Sequence, residues 1–538
     1  MSNAPRPSDA EAVETAVVPE GFGSGDIAAE TAPVIDPVDS QVVGRNVTFL
    51  AVSQLITWTM TLLWTLVVPR SLGPEGLGTI MAAWSVTGIL GVILGLGTRN
   101  YLVRASVVDP EESSQLVGTA LVLRIISSPV VLGAAIAYGE IVGWGREQRI
   151  ALYLAAAAQV FVQIAEPMQA AFQSLERMEY LAYSDVINKS AQGLLGIIVV
   201  LAGAGVIGVM ACWFVMTAVV VGLDLYWLRG LMKIDLHTTF RRMARLARDS
   251  LPYWAFGVFF MVYLWIDFVM LSLLTSTEEV GWYSVPTRLF QTLMFLPVVV
   301  STAFLPKFVR GFEEGGERLR RAAQSPVELV LLLSLPICAA TAILARPLID
   351  TLYGSAYSES VPVMVILGLC IPPMYMNIML SQVLVAMNRQ ARWTWVMAAT
   401  TVVNPLFNLA LIPWTHDRWD NGAIGASISL FLTELIVVTA GFAMVGALVF
   451  DRSTIRRAVL GIVAAGAMWG VAYVTESTIG SIGGFVAGLL TFVAASFLFR
   501  LFTAEEVGLI TSGLNRALRK IPGLRRGASP AAGELPPA

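Results

Sequence analysis

The sequence predicts an all-α, polytopic membrane protein that crosses the bilayer about 14 times. Hydrophobic residues make up 56% of the 538 residues and charged residues only 14%, whereas soluble domains carry roughly 25% charged residues. The apolar residues are gathered into repeated stretches of about 20 residues, the length that one membrane helix needs. A chain this apolar cannot hide its nonpolar surface within one soluble core.

We place one span on each predominantly apolar stretch of about 20 residues. The outer loops left between these stretches are too short to form a soluble domain. In chain order, the predicted spans lie near 46–68, 76–98, 116–138, 150–172, 181–203, 205–228, 250–274, 281–305, 325–345, 361–386, 393–413, 422–447, 455–474 and 481–501.

The chain also repeats itself. PEGLGT near residue 74 corresponds to TEEVGW near residue 277, so that Gly78 matches Gly281, and GVIGVMACWFVMT (205–217) recurs as GAIGASISLFLTE (422–434). The repeat holds an even number of spans, so both copies face the same way. This pattern predicts two six-helix lobes in parallel repeat around an axis along the membrane normal, with two extra C-terminal helices.

The regions outside the repeat differ in composition. The first 42 residues are acidic, rich in Ala, Pro, Ser and Glu, and without helical or strand period, which is typical of disorder. The predicted organisation is a disordered cytoplasmic tail (1–42), an N-terminal six-helix lobe (43–230), a basic cytoplasmic linker (231–249), a C-terminal six-helix lobe (250–450), an extra helix pair (451–502) and a basic cytoplasmic tail (503–538).

Lys and Arg residues are concentrated on one side of this topology. If the N-terminus is cytoplasmic, the basic loops 229–249 and 306–324 and the basic C-terminal tail all face the cytoplasm. The opposite side holds only Arg70, Arg146, Arg149, Arg346 and Arg418. The positive-inside rule therefore predicts an inner (plasma) membrane protein with both termini in the cytoplasm.

The sequence lacks the motifs of a metal- or cofactor-dependent enzyme. Its three cysteines stand singly inside apolar runs, and its two histidines, His237 and His416, lie in predicted loops. No GxxxxGK[ST] loop, GxSxG elbow or HExxH helix occurs, and the glycines of GAGVIG (203–208) join two apolar spans as a tight hairpin. We therefore expect no catalytic residues, no cofactor, no metal and no nucleic acid partner.

Charged residues inside apolar spans are the most informative signal. Each costs roughly 2.5–3.5 kcal/mol at the helix centre and must face a cavity or a partner. Asp267 in span seven and Arg288 in span eight lie about equally far from the turn between those spans, hence at similar depth. They either pair with each other or flank one wet cavity between the lobes, and we predict that both bind substrate.

Other polar residues inside spans have structural or coupling roles in this interpretation. Arg124 (span three) and Glu166 (span four) are equidistant from their shared turn, and Asp185 and Lys189 are four residues apart on one helix face, so both sets predict ion pairs. Glu434 in span twelve has no obvious partner in the sequence. Glu434 and Asp267 are therefore the candidates for proton or ion coupling.

Asn404 and Asn408 lie one turn apart in span eleven, where they either line the cavity or hold helices together. Aromatic residues such as Trp58, Trp64, Trp84, Trp282, Tyr283 and Trp414 are interpreted mostly as interface anchors. Aromatic residues near the predicted cavity are candidates for stacking on sugar rings.

Several segments resemble those of oligosaccharide flippases in order and spacing. VVPRSLGPEGLGT after span one is similar to the first outer turn of that family, and the segment from YLWIDFVML to STAFLPKF resembles its spans seven and eight. LYGSAYSESVPVMVIL and NPLFNLALIP with NGAIGASI resemble later segments, so the resemblance covers most of residues 43–450. The family is the polysaccharide flippase branch of the multidrug/oligosaccharidyl-lipid/polysaccharide (MOP) exporter superfamily.

The resemblance implies a V-shaped cavity between two lobes and alternating-access transport of undecaprenyl-diphosphate-linked oligosaccharide from the cytoplasmic to the outer leaflet. The family pattern Y-x-x-x-x-R-L matches Tyr283 and Arg288. Related peptidoglycan-precursor flippases also carry arginines within span one, whereas here only Arg45 and Arg70 flank it. This departure favours other glycan lipids as the substrate.

Two alternatives stay open at this point: a cation-coupled multidrug exporter of the same superfamily, using Asp267 or Glu434, and a non-transporting membrane scaffold for glycan assembly. The expected partners are the lipid-linked sugar, membrane lipid, and the glycan polymerase and glycosyltransferases. The predicted substrate-binding residues are Arg288, Asp267, Tyr283, Asn404 and Asn408.

Overall fold

A computed structural model describes residues 37–445, 451–503 and 508 of the chain, with side chains from Thr57 onward. The chain forms two compact units, Met1–Val52 and Ser53–Ala538. The first unit is described only as the backbone at the start of one helix. All side-chain contacts given below therefore belong to the second unit.

Every secondary-structure element in the described part of the chain is a helix, which confirms the predicted all-α class. A short 3₁₀ turn, Ser355–Tyr357, is the one described element that is not an α-helix. The α-helices are α1 (Pro37–Gly95), α2 (Thr98–Val108), α3 (Ser113–Val142), α4 (Arg146–Ser174), α5 (Met178–Leu201), α6 (Gly205–Leu231), α7 (Phe240–Asp249), α8 (Leu251–Leu274), α9 (Thr277–Leu293), α10 (Phe295–Glu313), α11 (Gly316–Leu352), α12 (Ser360–Ala386), α13 (Gln390–Trp419), α14 (Gly422–Val445) and α15 (Arg452–Leu498).

Within these described residues, twelve helical segments are long and apolar enough to cross a membrane. Two of them, in α1 and α15, are interrupted by a glycine with positive φ, Gly73 (70°) and Gly480 (73°). Trp64 stacks on Trp84 across the first break with ring centroids 5.6 Å apart, so the chain reverses there. The predicted count of 14 holds if each broken helix crosses twice, and it stays a prediction.

Several predicted boundaries differ from the observed helices. α1 begins at Pro37, inside the predicted tail 1–42, while residues 1–36 of that tail lie outside the described residues. The predicted loop 306–324 is mostly helical, because α10 and α11 run through it. α11 has 37 residues, or roughly 55 Å of helix, which exceeds the hydrocarbon thickness of about 30 Å. Helices of this length continue into water, where apolar content no longer marks their ends.

The spanning helices pack as two groups that follow the chain order. In the first, α4 contacts α2, α3 and α6, and α6 contacts α5; in the second, α12 contacts α9, α10, α11 and α14, and α13 contacts α8 and α14. We call them the N-terminal lobe (α1–α6) and the C-terminal lobe (α8–α14). The predicted domain boundaries at 43–230, 250–450 and 451–502 stay predictions.

The two lobes cross most closely where α1 meets α9. A Cβ atom on Gly78 would lie 1.6 Å from the carbonyl oxygen of Thr277, and one on Gly281 would lie 2.0 Å from that of Pro74. Pro74 and Gly78 match Thr277 and Gly281 in the internal repeat. Each glycine therefore contacts the residue four positions before the other glycine, and the two contacts are equivalent by the repeat. Glycine is required on both sides because any larger side chain would separate the two backbones.

The extra helix α15 is attached to α11 through a polar cluster as well as apolar packing. Glu328 of α11, 3% exposed, accepts hydrogen bonds from Arg457 and Thr454 of α15. Arg457 also donates from Nε to the carbonyl oxygen of Leu501 at 2.7 Å. A buried pair of this kind fixes one register of α15 on the C-terminal lobe, since a slipped register would strand a buried charge.

Candidate functional site

A cavity of about 560 Å³ lies between the two lobes. α1 of the N-terminal lobe contributes Met81 and Trp84 to its wall, and α8 and α9 of the C-terminal lobe contribute most of the remainder. Six aromatic side chains line its wall: Trp84, Tyr263, Trp265, Phe268, Tyr283 and Phe290. Aromatic side chains provide a large apolar contact area, and Tyr and Trp add a polar group at one end.

Arg288 lines this cavity from α9, and no carboxylate pairs with it among the described residues. Its guanidinium carbon lies 5.6 Å from the ring centroid of Trp64, and its Nη2 lies 3.9 Å from Sδ of Met81. Trp64 and Met81 belong to the N-terminal lobe. A cation of the C-terminal lobe is therefore held by an aromatic ring of the other lobe, an attraction worth about 0.5–2 kcal/mol.

Trp64 is itself held in place by a cluster of tryptophans. It stacks on Trp84 at 5.6 Å, and Trp84 meets Trp213 edge to face at 5.5 Å. Trp64 is 7% exposed and packs against Gly196 of α5, where a side chain would crowd its ring. The ring under Arg288 is therefore rigid.

Two hydrogen-bond donors near Arg288 have no acceptor in the described part of the chain. Tyr353, 2% exposed, lines a small cavity together with Arg288 and Trp64, and its hydroxyl is unpartnered. The indole N–H of Trp84, on the wall of the main cavity, is also unpartnered. The sequence analysis did not single out Tyr353, because it lies far along the chain from span eight.

The structure brings Asp267, Tyr283, Asn404 and Asn408 together on the C-terminal lobe side of the cavity. The Asp267 carboxylate accepts hydrogen bonds from the Tyr283 hydroxyl at 2.8 Å and from Asn408 Nδ2 at 2.7 Å. Asn408 Nδ2 also donates to Asn404 Oδ1 at 3.0 Å. The sequence left two arrangements open for Asp267 and Arg288. In the structure, the two side chains line one cavity and do not form an ion pair with each other.

Glu434, for which the sequence offers no obvious partner, has two in the structure. Its carboxylate accepts hydrogen bonds from the Tyr263 hydroxyl at 2.5 Å and from Asn377 Nδ2 at 3.1 Å. Both partners come from other helices, α8 and α12, so their proximity could not be read from span twelve. Glu434 is fully buried behind Tyr263, which lines the cavity.

The two predicted ion pairs lie outside the cavity wall. Arg124 Nη2 is 3.0 Å from Glu166 Oε2, and Arg124 also donates to Thr98 Oγ1 and to the carbonyl oxygen of Leu94, at the point where α1 ends. Lys189 Nζ is 2.9 Å from Asp185 Oδ2 within α5. The first pair is buried on the arginine side and the second is exposed.

The sequence analysis missed three buried carboxylates: Glu328 between α11 and α15, Asp224 and Glu279. Asp224 accepts hydrogen bonds from Ser184 and Gln169. Because it lies inside predicted span six, the search for charged residues within apolar spans that identified Asp267 would also have identified Asp224. Glu279 caps the start of α14 by accepting from the Gly422 N–H at 2.5 Å. No group of three or more His, Cys, Asp or Glu side chains in the described ranges is arranged to hold a metal ion.

Comparison with known proteins identifies the family. The profile of the polysaccharide biosynthesis protein family (Polysacc_synt) matches residues 43–312, half of the chain. The chain belongs to this family. The MatE profile matches residues 252–410, in the C-terminal lobe. No curated protein matches the chain by sequence.

Two solved structures share the fold of this polysaccharide biosynthesis family member. An inward-closed conformation of the lipid II flippase MurJ aligns with a TM-score of 0.66 at 14% identity, over 84% of this chain and 98% of that one. An inward-facing multidrug resistance MATE transporter of the MOP superfamily aligns with a TM-score of 0.58 at 14% identity, over 74% and 98%. The chain is therefore a multi-pass membrane protein with the fold of MOP transporters, as the resemblance implied.

Proposed function

We propose that this protein is a flippase that carries undecaprenyl-diphosphate-linked oligosaccharide, the repeat unit of a polysaccharide, from the cytoplasmic to the outer leaflet by alternating access. The family match and the MOP fold support transport of a polysaccharide precursor. The placement in the inner membrane, with both termini cytoplasmic, belongs to the same proposal. So does its cooperation with a glycan polymerase and glycosyltransferases.

One observation carries the proposal: Arg288 lines an inter-lobe cavity with aromatic walls, and no carboxylate of the described chain pairs with it. A diphosphate headgroup cannot cross hydrocarbon unaided, because an unpaired charge in an apolar medium is very costly. Arginine offers a planar fork of N–H donors that binds phosphate oxygens in bidentate fashion. The unpartnered Tyr353 hydroxyl and Trp84 N–H are further donors for such an oxyanion.

Trp64 makes this arginine available. A carboxylate partner would occupy the N–H donors of Arg288 and would compete with the diphosphate. An aromatic ring attracts the guanidinium through its face, and at the edge one donor meets only the weak acceptor Met81 Sδ. The aromatic walls beside it, including Trp84 and Phe268, provide surfaces for the apolar faces of sugar rings.

Asp267 and Glu434 are the proposed coupling groups. Both are buried in the C-terminal lobe and hydrogen-bonded only by neutral side chains in the described structure. A buried carboxylate without a cation gains most from binding a proton or a monovalent ion. The membrane potential adds about 2.3 kcal/mol per charge per 100 mV to outward movement of an anion.

A cation-coupled multidrug exporter is the second candidate, and the MatE match over residues 252–410 favours it. Such a protein would use Asp267 or Glu434 for coupling. The unpaired positive charge of Arg288 in the cavity counts against cationic drugs as cargo. An exporter would move a fluorescent cationic dye in proteoliposomes, whereas the flippase would not.

The test is a flippase assay in proteoliposomes with a fluorescent undecaprenyl-diphosphate oligosaccharide. We expect transfer between leaflets by the wild-type protein and a large loss for Arg288→Gln. Arg346→Gln is the matched control, because Arg346 is exposed and does not line the cavity. Absence of transfer by folded wild-type protein, or equal transfer by both variants, would contradict the proposal.

A further inference from the structure

The connection between the two lobes carries a surface that the proposed transport does not use. α7 lies between the end of α6 at Leu231 and the start of α8 at Leu251, both of which are spanning helices. It therefore lies at the end of the bundle, where the bilayer meets water. Leu246 is buried and packs with apolar residues that include Leu102 and Ala120, which attaches α7 to the N-terminal lobe.

The face of α7 that points away from the bundle is basic. Arg241, Arg245 and Arg248 stand at positions i, i+4 and i+7, so they form one stripe on the side of the helix opposite the buried Leu246. Arg242, one turn before Leu246, lies on the flank of α7 between this stripe and the buried side. All four arginines are exposed.

None of these four arginines forms an ion pair within the described residues. The carboxylates nearest along the chain are engaged elsewhere. Asp235 lies 2.9 Å from His237 Nδ1, and the His237 backbone N–H lowers the pKa of that carboxyl. Asp249 accepts a hydrogen bond from the Tyr101 hydroxyl at 3.3 Å.

The start of α11 offers a direct contrast within the same protein. Arg318 Nη1 lies 2.6 Å from Glu314 Oε2, and Arg320 and Arg321 lie 3.8 Å and 3.7 Å from oxygens of Glu317. One basic cluster is therefore neutralised by carboxylates one helical turn away. On α7 the acid one turn after Arg245 is Asp249, which accepts from Tyr101 and forms no ion pair with the stripe in the described structure.

Exposed apolar side chains adjoin the basic stripe. Phe240 at the start of α7 is 83% exposed, and Leu236 just before it is 56% exposed. Arginines beside exposed aromatic and aliphatic side chains, on a helix at the end of a membrane bundle, are typical of segments that lie in the bilayer interface.

We propose that α7 and the turn before it bind the headgroups of anionic phospholipids, with Phe240 and Leu236 inserted at the acyl boundary. Charge complementarity selects lipid phosphate for Arg241, Arg242, Arg245 and Arg248. Phe240 and Leu236 favour a bilayer as the partner, because neither an acidic protein nor free phosphate would cover these two apolar side chains. The proposal is independent of what the inter-lobe cavity carries.

The experiment uses the full-length protein in nanodiscs, with an environment-sensitive fluorophore at Phe240→Cys in a background lacking Cys212, Cys338 and Cys370. We expect a blue-shifted emission in phosphatidylglycerol relative to phosphatidylcholine. Raising the salt from about 0.1 M to about 1 M, which shortens the Debye length from roughly 10 Å to 3 Å, should reverse most of the shift. This comparison needs no arginine variant.

Native mass spectrometry of the detergent-purified protein supplies the second measurement. Arg241, Arg242, Arg245 and Arg248 are changed together to Gln, and the affinity for phosphatidylglycerol should fall about ten-fold or more. The control changes Arg318, Arg320 and Arg321 to Gln, and the affinity should stay near that of the wild-type protein. Equal emission in both lipids, or equal loss in both variants, would overturn the proposal. Capture of an acidic protein without any lipid dependence would overturn it as well.

Discussion

At the scale of single residues, Arg288 is the decisive side chain. If its guanidinium grips a diphosphate, Arg288→Lys keeps the charge but loses the bidentate contact, and Arg288→Gln loses both. We expect transport to fall from wild type through Lys to Gln. The loss for Gln should be roughly 10- to 100-fold, since hydrogen bonds to charged groups contribute about 1.5–3 kcal/mol. The readout is the initial rate in proteoliposomes at equal protein content.

Asp267 provides the control for that series. Because Asp267 is bound by Tyr283 and Asn408 and does not pair with Arg288, the two sites should act independently. The double variant Arg288→Gln with Asp267→Asn should therefore fold and stay inactive. A double variant that transports at the wild-type rate would show that the two residues only compensate each other's charge.

Trp64 tests how Arg288 is held. Trp64→Phe keeps an aromatic face and should retain most of the affinity for a diphosphate lipid, whereas Trp64→Leu should weaken binding by about 2- to 30-fold. Trp58→Leu is the matched control, because Trp58 is 60% exposed on the same helix. Binding is measured by fluorescence titration. An equal loss of affinity for Trp58→Leu and Trp64→Leu would contradict the positioning role of Trp64.

At the scale of helices, the crossing of α1 and α9 sets how closely the lobes approach. A Cβ atom at Gly281 would meet the backbone of Pro74, which cannot move aside as a side chain can. Gly281→Ala should therefore lower the unfolding free energy by roughly 1–3 kcal/mol or shift the protein away from this conformation. Thermal unfolding and an inter-lobe distance from electron resonance would measure the two effects.

Gly133→Ala in α3 is the control for the crossing, because a Cβ atom there has no neighbour within 4 Å and the helix conformation tolerates alanine. It should be neutral or slightly stabilising. If both variants unfold at the same temperature and keep the same inter-lobe distance, the glycine contact does not limit the approach of the lobes.

At the scale of the whole molecule, the distribution of Lys and Arg predicts both termini on the cytoplasmic side. Single cysteines at Ser2 and Ala538, in a background lacking the three native cysteines, should resist a membrane-impermeant thiol reagent in intact spheroplasts and react after lysis. A cysteine at Gly143, in the turn between α3 and α4, should react from outside. Outside labelling of either terminus would reverse the predicted topology.

The sequence by itself determined the all-α membrane class, whereas the parallel repeat and the depth of Asp267 and Arg288 stay predictions. These properties follow from counting along the chain: apolar runs fix the spans, offsets fix the repeat, and distance from a turn fixes depth. The same counting identified the residues at Arg124 and Glu166, whose side chains meet at 3.0 Å. Counting apolar residues failed to locate the helix ends, because helices extend into water, where apolar content no longer marks where a helix stops.

Only the tertiary structure decided which helices face each other. Trp64 lies more than two hundred residues before Arg288, and Tyr263 and Asn377 reach Glu434 from two other helices. Hydrophobic periodicity predicts that a side chain faces inward, but it does not predict which residues that side chain contacts. The partner of a buried charge depends on the rotation and tilt of packed helices, and that packing is set by contacts across the whole fold.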